Sequence, residues 1–495
     1  MAMIYYFVSL LLQFFSRKVF LDYLGTEILG LNTTASNLLQ FLNLAELGIS
    51  SAVGFTLYKP LHDHDEQGVN EIVTLQGHLY RRIAFVVIGG AIILMAFFPL
   101  IFEKMKLPLW YAYATFGVLL FSALLGYFVN YKQIVLTASQ QDYKVLYSYK
   151  TVNLLKILLQ MAAVYYFKNG YVWWLILEVA GALASSVALS IMTRRSFPNL
   201  RKSLLPFKAL RSKYPEFSIK IKQLFFHKIG SYALTQTAPL IIYAFTTLTV
   251  VALYGNYLIV FAGLSVLGGQ LFNGVNASVG DLAAEGNKQK SFKVFCELFS
   301  VRFLIVATLC FLSYELTPMF ISIWIGPEYL LPESTLLLMI ATLYINTLRY
   351  AVDAFINAYG LFQDIWSPVA EAILNIGLSI AFGFHWGLNG VIAGGLASLV
   401  IIIVGWKPLF LFITAFKGYY LKYLSLYGIH LILGILSTVI AIFILNLLPA
   451  TEPTILGLCY KALASIIVFT IPLIALLILC RTPFTAFLTR LKKLR

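Results

Sequence analysis

Long apolar runs recur along this chain, each separated from the next by a short polar break. A bilayer-spanning helix needs about 20 apolar residues. Fourteen runs come near that length: 1–16, 34–57, 83–102, 111–131, 151–167, 171–192, 229–249, 255–280, 303–322, 334–356, 368–385, 390–406, 426–447 and 455–480. They are continuous, whereas membrane strands alternate apolar and polar residues over about 10 positions, so the pattern predicts helices throughout. The first run is short and Arg17 and Lys18 follow it directly. No small-residue cleavage pattern follows, which argues against a cleaved signal peptide. Either that helix starts at Met1 or the natural start lies upstream.

Composition agrees with this reading. Of 495 residues, 60% are hydrophobic and only 12% charged, against about 25% charged in a soluble domain. That excludes a soluble enzyme, a nucleic-acid-binding protein, a disordered chain and a disulfide-rich module. The four cysteines (Cys296, Cys310, Cys459, Cys480) have no C-x-x-C spacing and lie in or beside apolar runs, as apolar filler does.

The net charge of +15 acquires meaning once it is mapped onto the breaks, because lysine and arginine collect on the cytoplasmic side of membrane proteins. With the N-terminus inside, the cytoplasmic pieces are 58–82, 132–150, 193–228, 281–302, 357–367, 407–425 and 481–495, and they hold 28 of the 36 Lys and Arg residues. The opposite side holds 5, and Lys156, Arg349 and Lys461 fall inside spans. Both termini are therefore expected in the cytoplasm. The longest polar stretch carries ten basic residues against Glu216 and falls after the sixth run. It divides the chain into an N-terminal lobe (1–193), a basic cytoplasmic linker (194–228), a C-terminal lobe (229–425) and two further helices with a basic tail (426–495). The expected fold is an all-α integral membrane protein with about 14 helices, two lobes of six and two flanking. The outer loops are too short for an external catalytic domain.

Motifs for nucleotide hydrolysis, zinc proteolysis or thiol redox chemistry do not occur in the sequence, and no cofactor or metal is expected. His62-Asp63-His64-Asp65-Glu66 reads as a solvated loop and Gly390-x-x-x-Gly394 as a close helix contact. Charges within spans are more telling, since each costs a few kcal/mol unless it meets a partner or a wet cavity. Asn346, Arg349, Asp353 and Asn357 recur at helical spacing and form one polar stripe. Arg349 and Asp353 stand one turn apart and can pair. Glu46, Lys156, Glu178, Glu315, Glu371, Asn375 and Lys461 are the other buried-span polar positions, with Lys156 and Glu371 near enough to span ends to snorkel. Arg17 ends the first run at the outer mouth. Basic groups joined by a few acids suit an anionic, phosphate-bearing cargo, with the acids as proton or sodium sites. The candidate cargo-binding residues are thus Arg17, Lys156, Asn346, Arg349, Asp353 and Asn357, and the candidate ion-coupling residues Glu46, Glu178 and Asp353.

Several stretches carry a resemblance. Ser16-Arg17-Lys18-Val19-Phe20, Tyr23 through Asn32, Leu44-Ala45-Glu46-Leu47-Gly48-Ile49-Ser50-Ser51-Ala52 and Leu57-Tyr58-Lys59-Pro60-Leu61 resemble the opening of Wzx-type polysaccharide flippases. Ala277-Ser278-Val279-Gly280-Asp281-Leu282 resembles the end of that family's eighth helix, where Asn often replaces Asp281. Arg349, Asp353, Asn357-Ala358-Tyr359-Gly360, Pro368, Glu371 through Asn375 and Gly387-Leu388-x-Gly390-Val391 resemble helices ten to twelve. The resemblance implies the multidrug/oligosaccharidyl-lipid/polysaccharide exporter fold, in which two six-helix bundles surround a cavity. It also implies transport of undecaprenyl-diphosphate-linked oligosaccharides across the bacterial inner membrane by alternating access, for surface polysaccharides such as O-antigen lipopolysaccharide. Implied partners are the polyprenyl-diphosphate-linked glycan, membrane lipids, a polysaccharide polymerase and glycosyltransferases, without nucleic acid. Relatives carry a longer first helix than this chain. A multidrug/toxin cation antiporter of the same fold and a membrane-embedded glycosyltransferase or polymerase are the alternative readings.

Overall fold

The computed structural model describes residues 2–493 except 47–48, 216–236, 271–278, 280–281, 283–284, 362, 365 and 450. Every regular element among the described residues is helical. Nine of these helices are long and apolar enough to cross a membrane, and the chain is a multi-pass membrane protein. Parts of the expected seventh and eighth spans, Ala277, Ser278, Gly280 and Asp281 of the Ala277–Leu282 motif, Leu47-Gly48 and 216–228 of the basic strip lie outside the described residues.

Contacts divide the chain into two compact units, Met1–Ala252 and Leu253–Arg495. The first contains α1 (Ala2–Leu42), α2 (Ile49–His62), α3 (Glu66–Ala96), α4 (Trp110–Phe128), α5 (Asp142–Tyr166), α6 (Gly170–Ser196), α7 (Phe207–Lys213) and α8 (Ala238–Phe245). Residues 17–33, which fall between the first two apolar runs, are helical within α1, which breaks only at Gly25. Glycine is required there, because φ is 82° and a Cβ is strained in that region. Arg17 Nη2 reaches the Ala252 carbonyl at 3.3 Å, whereas the side chains of Lys18 and Asp22, both open to solvent, pair at 3.7 Å along the same helix. Hydropathy registers lipid-facing surface, so a helix that turns polar groups toward protein escapes it.

α3 likewise begins well before its apolar run. Asp65 caps it, its Oδ1 accepting from the Gly68 N–H at 2.9 Å, a contact worth about 1 kcal/mol. The described part of the basic strip packs on this helix. Leu210 is fully buried against α3. Glu71, nearly inaccessible, receives Lys213 Nζ at 2.7 Å and the Tyr214 hydroxyl at 2.8 Å. Burial and that carboxylate together push the Tyr214 phenol upward.

The second unit contains most of α9 (Leu248–Gln270), then α10 (Lys288–Trp324), α11 (Glu333–Leu348), α12 (Tyr350–Ala358), α13 (Trp366–Leu399), α14 (Lys407–Thr414), α15 (Tyr420–Leu447), α16 (Ile455–Leu479) and α17 (Pro483–Lys493). Its core is aromatic. Phe295 and Phe299 stack along α10 and meet Phe355, Phe412 and Tyr423, edge-to-face pairs that add to simple burial. α13 breaks at Gly387 (φ 55°). A Cβ on Gly390 would lie 2.0 Å from the Phe382 carbonyl oxygen, and one on Gly394 2.3 Å from the Ser379 nitrogen. The halves on either side of Gly387 thus run antiparallel in backbone contact, which is the role expected for Gly390 and Gly394.

Candidate functional site

In the first unit, α1, α4, α5 and α6 surround a cleft of about 340 Å³. Arg17, Asn32, Asn153, Lys156, Gln160 and Glu178 contribute its polar lining. Lys156 on α5 reaches across to Glu178 on α6, with Nζ to Oε1 at 2.8 Å. Gln160, one turn further along α5, donates to the other carboxylate oxygen at 2.9 Å and to the Trp174 carbonyl at 3.1 Å. A carboxylate in an apolar helix bundle is costly to desolvate; here a cation and an amide hold both of its oxygens. Lys156 therefore does not snorkel to the interface. It is held, and its aliphatic stem passes over Gly181, where a Cβ would lie 2.5 Å from Lys156 Cδ. The Tyr171 hydroxyl donates to Asn32 Oδ1 at 3.0 Å and also bonds Thr115, tying α6 to α1 and α4.

Two cations, Arg17 and Lys156, and one carboxylate, Glu178, are the charged groups among the described residues that line this cleft. Two of the cargo-binding candidates, Arg17 and Lys156, and one ion-coupling candidate, Glu178, thus share one site. Glu46 lies elsewhere in this unit, on the turn Asn43–Glu46. Its carboxylate accepts from the Tyr80 hydroxyl at 2.8 Å, and Tyr80 in turn bonds Ser50 at 2.6 Å.

The second unit contains the other candidates. Arg349 Nε bonds Asp353 Oδ2 at 2.9 Å, the one-turn pair that the spacing suggests. Asn346 is partly buried one turn before it and Asn357 is exposed one turn after. The stripe crosses the break between α11 and α12 at Arg349. A second charged group lies nearby in sequence order and was not anticipated. Asp364, almost inaccessible, pairs with Lys407 at 3.2 Å and accepts from Ser367 and from the Trp406 indole at 2.6 and 3.1 Å. Lys461 and Glu315 also pair, joining α16 to α10 at 2.9 Å.

Arg302, the last residue of the polar break 281–302, is 2% exposed within α10, a burial that hydropathy does not signal. Its Nε donates to the Thr347 carbonyl at 2.9 Å, and its guanidinium lies over the Tyr350 ring. The sequence does carry a signal for this. Phe292, Phe295, Phe299 and Phe303 repeat at helical spacing and extend the helix back to Lys288, enclosing Arg302.

No family model and no curated protein sequence matches the chain. Solved structures do. The lipid II flippase MurJ in an inward closed conformation matches with a TM-score of 0.62 at 12% identity, over 95% of this chain and 97% of that one. An inward-facing multidrug resistance MATE family transporter of the MOP superfamily matches with a TM-score of 0.55 at 14% identity, over 81% and 94%. At such identities the likeness speaks for architecture: the chain has the all-helical membrane fold that MurJ and this MATE transporter share.

Proposed function

We propose that this chain is a Wzx-type flippase that moves undecaprenyl-diphosphate-linked oligosaccharides across the bacterial inner membrane by alternating access. The observation that carries this reading is the cleft that brings Arg17, Lys156 and Glu178 together, set in a fold that matches a lipid II flippase along almost its whole length. Sugars and a diphosphate are too polar to cross hydrocarbon unaided, whereas a polyprenyl tail is at home in it. The protein has only to shelter the head, and cations are what a diphosphate requires. On this reading Arg17, Lys156 and Arg349 contact cargo, Asn346 and Asn357 extend the polar surface, and Glu46, Glu178 and Asp353 are positions for a coupling proton or sodium ion.

The likeness to a MATE transporter favours a second reading, a drug/cation antiporter. A cationic cargo calls for a cleft rich in carboxylates; among the described residues the cleft of the first unit is lined by one carboxylate and two cations.

The test is inactivation of the gene in its own host. The expected result is loss of surface glycan while its lipid-linked unit builds up on the cytoplasmic leaflet. A unit that is never assembled would mean an enzyme instead. Orientation is checked separately: reporter fusions near residues 65, 210 and 290 should read cytoplasmic, and those near 108, 328 and 451 external.

A further inference from the structure

A second, smaller cleft of about 140 Å³ lies in the first unit, away from the Lys156–Glu178 site. Its basic lining consists of His78 and Arg81 from α3, Lys132 from the turn Asn130–Gln133, and Arg201 and Lys202 from the extended segment after α6. Among the described residues, no carboxylate lines it. Four permanent positive charges from three separate parts of the chain converge on one concavity.

Local hydrogen bonding holds them there. Asn70 Oδ1 accepts from the Arg201 backbone N–H at 2.8 Å, and its amide donates to the Asn199 carbonyl at 3.2 Å. Thr74 Oγ1 accepts from the Ser203 N–H at 2.9 Å. Residues 199–203 are thereby laid along α3, so Arg201 and Lys202 are placed beside Arg81. Gly77 allows the Tyr131 ring to close the cleft, since a Cβ there would lie 3.0 Å from that ring. The two nearby acids on α3 are engaged elsewhere, Glu66 by Asn199 at 2.8 Å and Glu71 by Lys213 and Tyr214. Among the described residues, no ion pair involves Arg81, Lys132, Arg201 or Lys202.

Gathering like charges raises the energy of the folded chain until an anion enters. The volume far exceeds the ~10–15 Å³ that one water needs. Arg81 and Arg82 precede the apolar part of α3, and Lys132 follows the apolar α4. Arg81 and Lys132 therefore stand where an apolar run meets polar sequence, the level at which basic pockets take lipid headgroups.

We propose that this cleft binds a phosphate group, carried by an anionic lipid or by a soluble phosphate compound. Guanidinium groups at Arg81 and Arg201 supply the forked donors that phosphate oxygens accept, with Lys132 and Lys202 as point charges. This site is independent of the cargo cleft and of the direction of transport.

The experiment uses the full-length protein purified in nanodiscs, with bound lipid counted by native mass spectrometry. One arm contains phosphatidylcholine with a small fraction of phosphatidylglycerol or phosphatidic acid. The other contains phosphatidylcholine alone with inorganic phosphate. Wild-type protein should retain the anionic lipid, and Arg81→Gln with Arg201→Gln should lower its affinity at least about 10-fold. Lys208→Gln, on the same basic strip but outside the cleft, should change nothing, and thermal unfolding of each variant checks its fold. Retention in the lipid arm alone assigns the site to a headgroup; binding of inorganic phosphate that the double variant loses assigns it to a soluble phosphate. Equal retention by wild type and the folded double variant in both arms would overturn the proposal. Lys132→Gln with Lys202→Gln gives the same decision should the first pair fail to fold.

Discussion

Each unit holds a basic–acidic pair of similar exposure, but the two pairs are built differently. Lys156–Glu178 spans two helices, is shared with Gln160 and opens onto a cleft that also receives Arg17. Arg349–Asp353 closes on its own helical run, one turn from donor to acceptor. A pair within one helix is worth a few tenths of a kcal/mol when exposed, because the helix already holds both partners close. A pair between helices also fixes how those helices sit against each other, so breaking it disturbs packing as well as charge. The N-terminal pair should therefore matter to both stability and transport, and the C-terminal pair mainly to transport.

That contrast is open to direct attack. The largest effect is expected from Lys156→Ala, which strands the Glu178 carboxylate with only Gln160. Since the pair is partly accessible, at 17% and 23% side-chain exposure, the loss should be about 2 kcal/mol, below the ~3–5 kcal/mol of a fully buried pair. Glycan export per molecule in the membrane should fall as well. Adding Glu178→Ala should restore the thermal midpoint without restoring export. Recovery of both would reduce the pair to helix glue.

Arg349→Ala comes next. Membrane abundance should change little, while export per molecule falls roughly 10-fold, the loss of one charge-assisted contact to cargo. Arg349→Lys should recover part of it, since an ammonium lacks the bidentate fork. Normal export by a normally abundant Arg349→Ala protein would remove this residue from the cargo path and leave the first unit with the whole task.

The smallest effect is expected from Gly181→Ala. The new methyl presses on the Lys156 stem at 2.5 Å and must displace it, moving the ammonium off Glu178 while every charge remains. Export should fall a few-fold and the thermal midpoint should drop as well, by less than for Lys156→Ala. Serine at the same position should act likewise, as its Cβ makes the same contact. Unchanged export in both would mean that the ion pair tolerates displacement and that its geometry is not what the cleft requires.

These residues also mark how far the sequence could be read. Helicity, the absence of a soluble core and the packing role of Gly390 and Gly394 follow from composition and spacing, because a bilayer imposes length and backbone satisfaction on each segment separately. The Arg349–Asp353 pair was legible for the same reason: helical spacing alone brings positions one turn apart together. The helical character of 17–33 and the burial of Arg302 were not legible to hydropathy. A polar residue that faces protein looks the same in sequence as one that faces water.

By itself, then, the sequence determined that the chain is helical and membrane-spanning, where most apolar runs lie, and which charges stand expensively within them. Only the tertiary structure decided which charges meet. Lys156 finds Glu178 across 22 positions, Asp364 finds Lys407 across 43, and Lys461 finds Glu315 across 146. Local periodicity fixes the direction of a side chain on its own helix, whereas a partner on another helix depends on which faces pack together, and that is settled by the burial of all the helices at once.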